Sequence, residues 1–185
     1  MKIIDPKVYH KMPEGILEGD EVKHYKKYLK DVKNLYKYED EELNDSGTIM
    51  YEVHSYGKGD EDKKGNLFWG LTVMNPVYIK DECNMTRGHF HEDLNCAEFY
   101  FGLQGEGLLL LMNKDGEMWA EKISKGSLHH IDGELAHRII NTGNEVLKVG
   151  ACWPTVSGHD YKSIEDKEFP YRVFNNNGEI QLVAR

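Results

Sequence analysis

The sequence predicts an all-β fold, an antiparallel sandwich or barrel carrying a partly helical N-terminal extension. From Thr48 onward, short runs of β-branched and aromatic residues are punctuated by Gly, Asn and Asp turns. That is the pattern of antiparallel strands rather than of βαβ units. No internal repeat or low-complexity linker divides the chain, and 185 residues suit one domain with a sizeable core. Residues 48–185 are therefore read as the β-barrel domain, and residues 1–47 as an extension of the same domain.

The extension is rich in Lys, Glu, Asp and Tyr and lacks strand alternation. Within it Val22, Tyr25, Leu29, Val32 and Tyr36 recur at three- and four-residue spacing, which predicts an amphipathic helix with its lysines on a solvated face. Asn44-Asp45-Ser46-Gly47 supplies a turn into a strand over Thr48–His54. After the charged loop Asp60 to Lys64, strands are predicted over Leu67–Met74, Asn84–His91, Ala97–Gln104, Gly107–Met112, Met118–Ile123 and Leu128–Ile131. His137–Asn141, Val146–Trp153, Tyr171–Phe174 and Ile180–Val183 complete the set. Asn113 to Gly116, Asn141 to Asn144 and Asn175 to Gly178 are hairpin turns whose residues tolerate positive φ.

Composition narrows the function. A net charge of −9 argues against a broad nucleic-acid surface and for a small-molecule partner. There is no apolar run of about 18 residues to cross a membrane. The opening Met1-Lys2-Ile3-Ile4-Asp5-Pro6 is broken by charge and proline too early for a secretory leader, so a cytoplasmic protein is expected. Cys83, Cys96 and Cys152 are odd in number and lack a Cys-x-x-Cys pattern, which fits a reducing compartment. Cys96 is read as buried and structural.

The most informative motif is His89-Phe90-His91. In an extended chain residues i and i+2 point the same way, so both imidazoles reach one ion while Phe90 faces the other way. The polar stretch Glu92 to Asn95 reads as a turn that folds Glu98 back beside them, and His137 completes the set. Three imidazoles and one carboxylate suit Fe²⁺, Mn²⁺, Zn²⁺, Ni²⁺ or Co²⁺. His129 and His130 are read as structural or exposed, His54 as carrying no pattern, and Tyr100 as sharing the face of Glu98.

The spacing of His89, His91, Glu98, Gly105, Gly126, His137 and Asn141 resembles the two-motif signature of the cupin superfamily. Thr86 to His91, Ala97 to Tyr100, Ala136-His137-Arg138 and Ser157 to Tyr161 further resemble the cupin-type glucose-6-phosphate isomerases known first from archaea. Gly15 to Gly19 and Tyr51 to Val53 extend the likeness over most of the chain. The resemblance implies a double-stranded β-helix barrel with one divalent metal ion, Fe²⁺ foremost, held in its mouth by His89, His91, Glu98 and His137. It also implies an aldose–ketose isomerase that interconverts glucose 6-phosphate and fructose 6-phosphate, as a homodimer. The small phosphorylated sugar would lie against Thr72, Thr86, the Gly88 backbone, Tyr100, His159 and Tyr161, with His159 adding charge. Glu98 acts as ligand, as base or as both, with Tyr100 at a substrate hydroxyl; a hydride shift would need no base. Ile131 to Leu135 and Trp153 depart from the family pattern, the former as an altered pocket wall. Those departures keep two alternatives open, an isomerase or epimerase of another sugar or sugar phosphate, and a non-catalytic metal-containing sugar-binding cupin. An Fe²⁺ dioxygenase shares the ligands but gives no reason for the Gly158-His159-Asp160-Tyr161 segment.

Overall fold

In the computed structural model, residues 6–11 and 14–185 are described; Met1 to Asp5, most of the segment behind the no-leader expectation, lie outside them. The chain is mostly β. It opens with β1 (Val8–Lys11), β2 (Ile16–Gly19) and β3 (Lys23–Tyr28), then α1 (Leu29–Val32), a 3₁₀ turn over Lys33–Leu35 and α2 (Glu41–Asp45). There follow β4 (Ile49–Gly57), β5 (Leu67–Met74), β6 (Tyr78–Ile79), β7 (Glu82–Cys83), β8 (Glu98–Gln104), β9 (Gly107–Met112) and β10 (Met118–Ile123). The remainder is β11 (Leu128–Ile131), β12 (Ala136–Asn141), β13 (Leu147–Pro154), α3 (Lys162–Asp166), β14 (Tyr171–Asn176) and β15 (Glu179–Ala184).

A six-stranded antiparallel sheet runs in the order β11-β8-β13-β5-β4-β3, and a three-stranded one in the order β10-β9-β12. One apolar cluster draws on both, with Met50, Met74, Ile131 and Val149 from the first and Leu109 to Met112, Ile139 and Ile140 from the second. Two buried inner faces closing on each other are the main stabilising element of such a fold. The turns follow their chemistry: Asn177 at φ 53° and Gly178 at φ 94° form the positive-φ pair between β14 and β15.

Two expectations are corrected. The helix predicted over Val22–Tyr36 is absent from its first half, where Lys23 to Tyr28 pair with β4 as the edge strand of the large sheet. The short α1 and 3₁₀ turn are all that remains of it. An edge strand with a cavity on one side and solvent on the other needs no apolar alternation, so Tyr25 falls into line with Val22 and Leu29 as a helical stripe. The strand predicted over Asn84–His91 is an extended but irregular segment. Its backbone bonds β12 through Thr86 N to Ile139 O at 2.9 Å and His137 N to His89 O at 3.0 Å. Gly88, at φ 76°, interrupts the ladder between them.

The part before β4 is tied to the end of the chain by a buried carboxylate. Glu82, fully buried, accepts from Lys37 N and from Arg172 Nη1, both at 2.7 Å. Removing one partner of such a pair strands the other. Glu82→Ala is expected to lower stability by about 3 kcal/mol, read as a shift of the urea midpoint at unchanged m-value.

Candidate metal centre

Three elements converge on one point. The extended segment brings His89 and His91, the start of β8 brings Glu98, and β12 brings His137; their ligating atoms all lie within 4.8 Å of one another. Phe90 turns the other way into the core cluster and bonds Asp160 through its backbone, which brings the segment carrying His159 and Tyr161 alongside.

Hydrogen bonds fix which nitrogens face the centre. His91 Nδ1 donates to Cys96 O at 2.5 Å and His137 Nδ1 donates to Leu135 O at 3.2 Å. Each bond assigns the proton to Nδ1 and leaves Nε2 with a lone pair, the tautomer a metal ligand needs. His137 Nε2 then stands 2.6 Å from Glu98 Oε1, and His91 Nε2 stands 3.6 Å from the same oxygen. Glu98 Oε1 and His137 Nε2 are buried without a hydrogen-bond partner. Two acceptors that close, out of water, repel unless a cation lies between or beside them. The donor set therefore fits a divalent metal ion.

The electrostatics agree. Burial pushes the Glu98 carboxyl up, but positive charge at the positions of His137 and His91 outweighs it and brings its pKa down to about 2, so the site favours a carboxylate beside a cation. Burial, with His137, His159 and His91 nearby, holds His89 well below the usual histidine range and so unprotonated. For His91, burial is outweighed by the Glu98 carboxylate and the Cys96 carbonyl, and the pKa rises, so a proton is the competitor of an ion for Nε2.

A single cavity is lined by His89, Glu98 and His137 and by every residue predicted to touch substrate: Thr72, Thr86, Gly88, Tyr100, His159 and Tyr161. Burial raises the Tyr100 hydroxyl well above its usual range, so it is a standing donor. His159 stacks on Tyr161 with the rings 7° from parallel. Burial lowers the His159 pKa. The cations here are arginines. Arg87 lies over the Tyr161 ring at 4.2 Å and pairs with Glu165. The buried Arg138, packed on Phe169, donates from Nη2 to Arg87 O. Because the Arg87 carbonyl and the Gly88 N–H share one trans peptide and point opposite ways, that bond aims the N–H away from Arg138.

Sequence reasoning missed Tyr25, Tyr51 and Ser55, which also line the cavity. The signal was the i, i+2 spacing of Tyr51, Val53 and Ser55 on β4; Tyr25 was hidden by the helix reading. Trp153 does form a wall, its ring lying where a Cβ on Gly70 would come within 2.6 Å. Asp132 to Leu135, expected as a pocket wall, does not line the cavity. It works behind the centre: Leu135 O orients His137, and Gly133 packs so tightly that a Cβ would lie 2.3 Å from Leu94 O and 2.7 Å from Cys96 O, the acceptor of His91. Gly133→Ala is expected to lower metal affinity about 10- to 100-fold, the usual cost of losing an outer hydrogen bond to a ligand. Metal content after dialysis against a graded chelator checks this.

The family model of glucose-6-phosphate isomerase matches residues 26–183. Glucose-6-phosphate isomerase of Thermococcus kodakarensis is 34% identical over 91% of this chain and 88% of that protein. The Pyrococcus furiosus enzyme of the same name is 36% identical over 73% of this chain and 70% of its own length. That of Sinorhizobium medicae is 34% identical over 76% and 66%. Among solved structures, oxalate decarboxylase from Bacillus subtilis aligns with 59% of this chain and 26% of its own at 16% identity, with a TM-score of 0.46.

Proposed function

The chain belongs to the glucose-6-phosphate isomerase family, and from that premise we infer that it is an isomerase interconverting glucose 6-phosphate and fructose 6-phosphate. The observation that carries the reading is one cavity lined by a convergent His and Glu set and by a group of anion-compatible donors. A sugar phosphate has both ends such a cavity needs.

We further propose that His89, His91, Glu98 and His137 hold one divalent transition-metal ion, Fe²⁺ foremost, with Mn²⁺, Zn²⁺, Ni²⁺ or Co²⁺ as alternatives. Bound there, the ion would act as a Lewis acid toward the carbonyl and neighbouring hydroxyl of the sugar. Glu98 is the carboxylate placed to move the proton between C2 and C1, using the oxygen not turned to His91 and His137. Tyr100, held protonated, donates to a substrate oxygen. At the phosphate, the hydroxyls of Thr72, Thr86 and Tyr161 and the Gly88 N–H are the donors. Thr86 Oγ1 accepts from Ile139 N at 3.0 Å, which leaves its own proton free for an anion. Arg138 supports the Gly88 peptide from below.

A second reading, an isomerase or epimerase of another sugar or sugar phosphate, is favoured by one feature. Trp153 presents an indole to the cavity, which adds apolar surface and little capacity to bind anionic oxygen. For assembly we propose a homodimer in the cytoplasm. Ile180, Leu182 and Val183 on the edge strand β15 are exposed apolar residues that a second copy would cover.

A coupled assay of metal-reconstituted protein on a panel of aldose and ketose phosphates tests the reading. Turnover of glucose 6-phosphate that is abolished by chelation is expected; turnover only of another sugar phosphate would favour the second reading. Glu98→Gln is expected to remove turnover, whereas a hydride-shift route that retained the metal would leave measurable rate. Arg138→Met is expected to raise KM for the phosphorylated substrate tenfold or more, with a smaller change in kcat, by steady-state kinetics.

A further inference from the structure

We propose that His24, Glu52 and His54 form a second divalent-metal site, on the outer face of the large sheet. It is separate from the cavity and does not depend on the isomerase reading. On the paired strands β3 and β4, His24 stands directly opposite His54, and Glu52 lies two residues from His54. Tyr51, Val53 and Ser55 of β4 and Tyr25 of β3 line the cavity, so by strand alternation the intervening His24, Glu52 and His54 project from the opposite face.

The three side chains are already gathered. The imidazoles of His24 and His54 stack with centroids 4.2 Å apart and planes 18° from parallel. His24 Nε2 lies 2.6 Å from Glu52 Oε2, and the ligating atoms of all three residues lie within 4.8 Å of one another. Burial, then His24, lower the pKa of His54, which favours the neutral ligand form. The His24 side chain is 37% exposed and that of Glu52 25%, so an ion with its remaining waters can enter from solvent.

Two imidazoles and one carboxylate select borderline ions such as Zn²⁺, Ni²⁺ or Cu²⁺ over Mg²⁺ or Ca²⁺. On binding, the ion takes the place of the proton between His24 Nε2 and Glu52 Oε2, which in the neutral ring moves to Nδ1 and in the charged ring leaves to solvent. Lys26 Nζ, 3.5 Å from Glu52 Oε1, is the competing cation and swings outward. The site has a structural consequence. β3 is the sheet's edge, paired among the described residues with β4 alone, and it carries Tyr25 into the cavity. A chelate across the two strands would pin that wall in place.

Zinc content after equilibrium dialysis, compared between the parent protein and the His24→Ala and His54→Ala variants, tests the site, with circular dichroism confirming that the variants are folded. The parent is expected to hold one Zn²⁺ per chain more than either variant, whatever the inner centre holds. Lys26→Gln, which leaves all three ligands in place, is expected to tighten the weaker zinc-binding event, and amide exchange over Lys23–Tyr28 should slow on adding Zn²⁺ to the parent but not to His54→Ala. Equal zinc content in the parent and both variants, or exchange that does not respond to zinc, would overturn the proposal.

Discussion

Glu98 Oε1 and His137 Nε2 face each other at 2.6 Å, both buried and neither hydrogen-bonded. That contact is the constraint on which the rest of the structure turns. Alone it would be destabilising, since two desolvated lone pairs so close cost several kcal/mol at the low effective dielectric of an interior. It persists because the rings around the carboxylate are fixed from behind. Leu135 O holds one ring, Cys96 O holds the ring of His91, and the turn through Gly133 packs against the loop carrying Cys96. The sheets supply the stiffness, with β8 and β12 each delivering one member of the pair from a separate sheet. A cation there would convert the repulsion into attraction to both groups.

Around that centre, opposite faces of the same strands carry different chemistry. The inner face of β4 lines the cavity through Tyr51, Val53 and Ser55, while its outer face carries Glu52 and His54. The alternating pleat makes this possible at no extra chain length. The side of the cavity lined by Thr86 and Gly88 uses a different device. Arg138 contributes no atom to the lining yet holds the Arg87 carbonyl, so a buried positive charge reaches the cavity through a peptide group.

Most of the β-domain was legible because its boundaries are chemical. Asn113 to Gly116 and Asn175 to Gly178 can turn tightly, and the apolar runs between such turns are the right length for strands; Leu67–Met74 and Met118–Ile123 match residue for residue. The His89-Phe90-His91 alternation was readable even though no regular strand forms there, because extended backbone alone is enough to set it. The N-terminal region was not legible. Lys23 to Tyr28 owes its conformation to β4, more than twenty residues away, and local spacing cannot report a long-range ladder. Asp132 to Leu135 was placed on the wrong side of His137, since a sequence shows that a segment is unusual but not which way it faces. Tyr25 and Arg138 went unread for the same reason: one reaches the site through tertiary pairing and the other acts through a neighbour's carbonyl.

The position of the ion is what the chemistry of the cavity depends on most directly. Crystals of the metal-reconstituted protein, measured at the absorption edge of the metal, should show an anomalous peak about 2.0–2.2 Å from the ring nitrogens of His89, His91 and His137 and from Glu98. A peak that leaves Glu98 outside the coordination sphere, or no peak there with His137 and Glu98 still in contact, would contradict it.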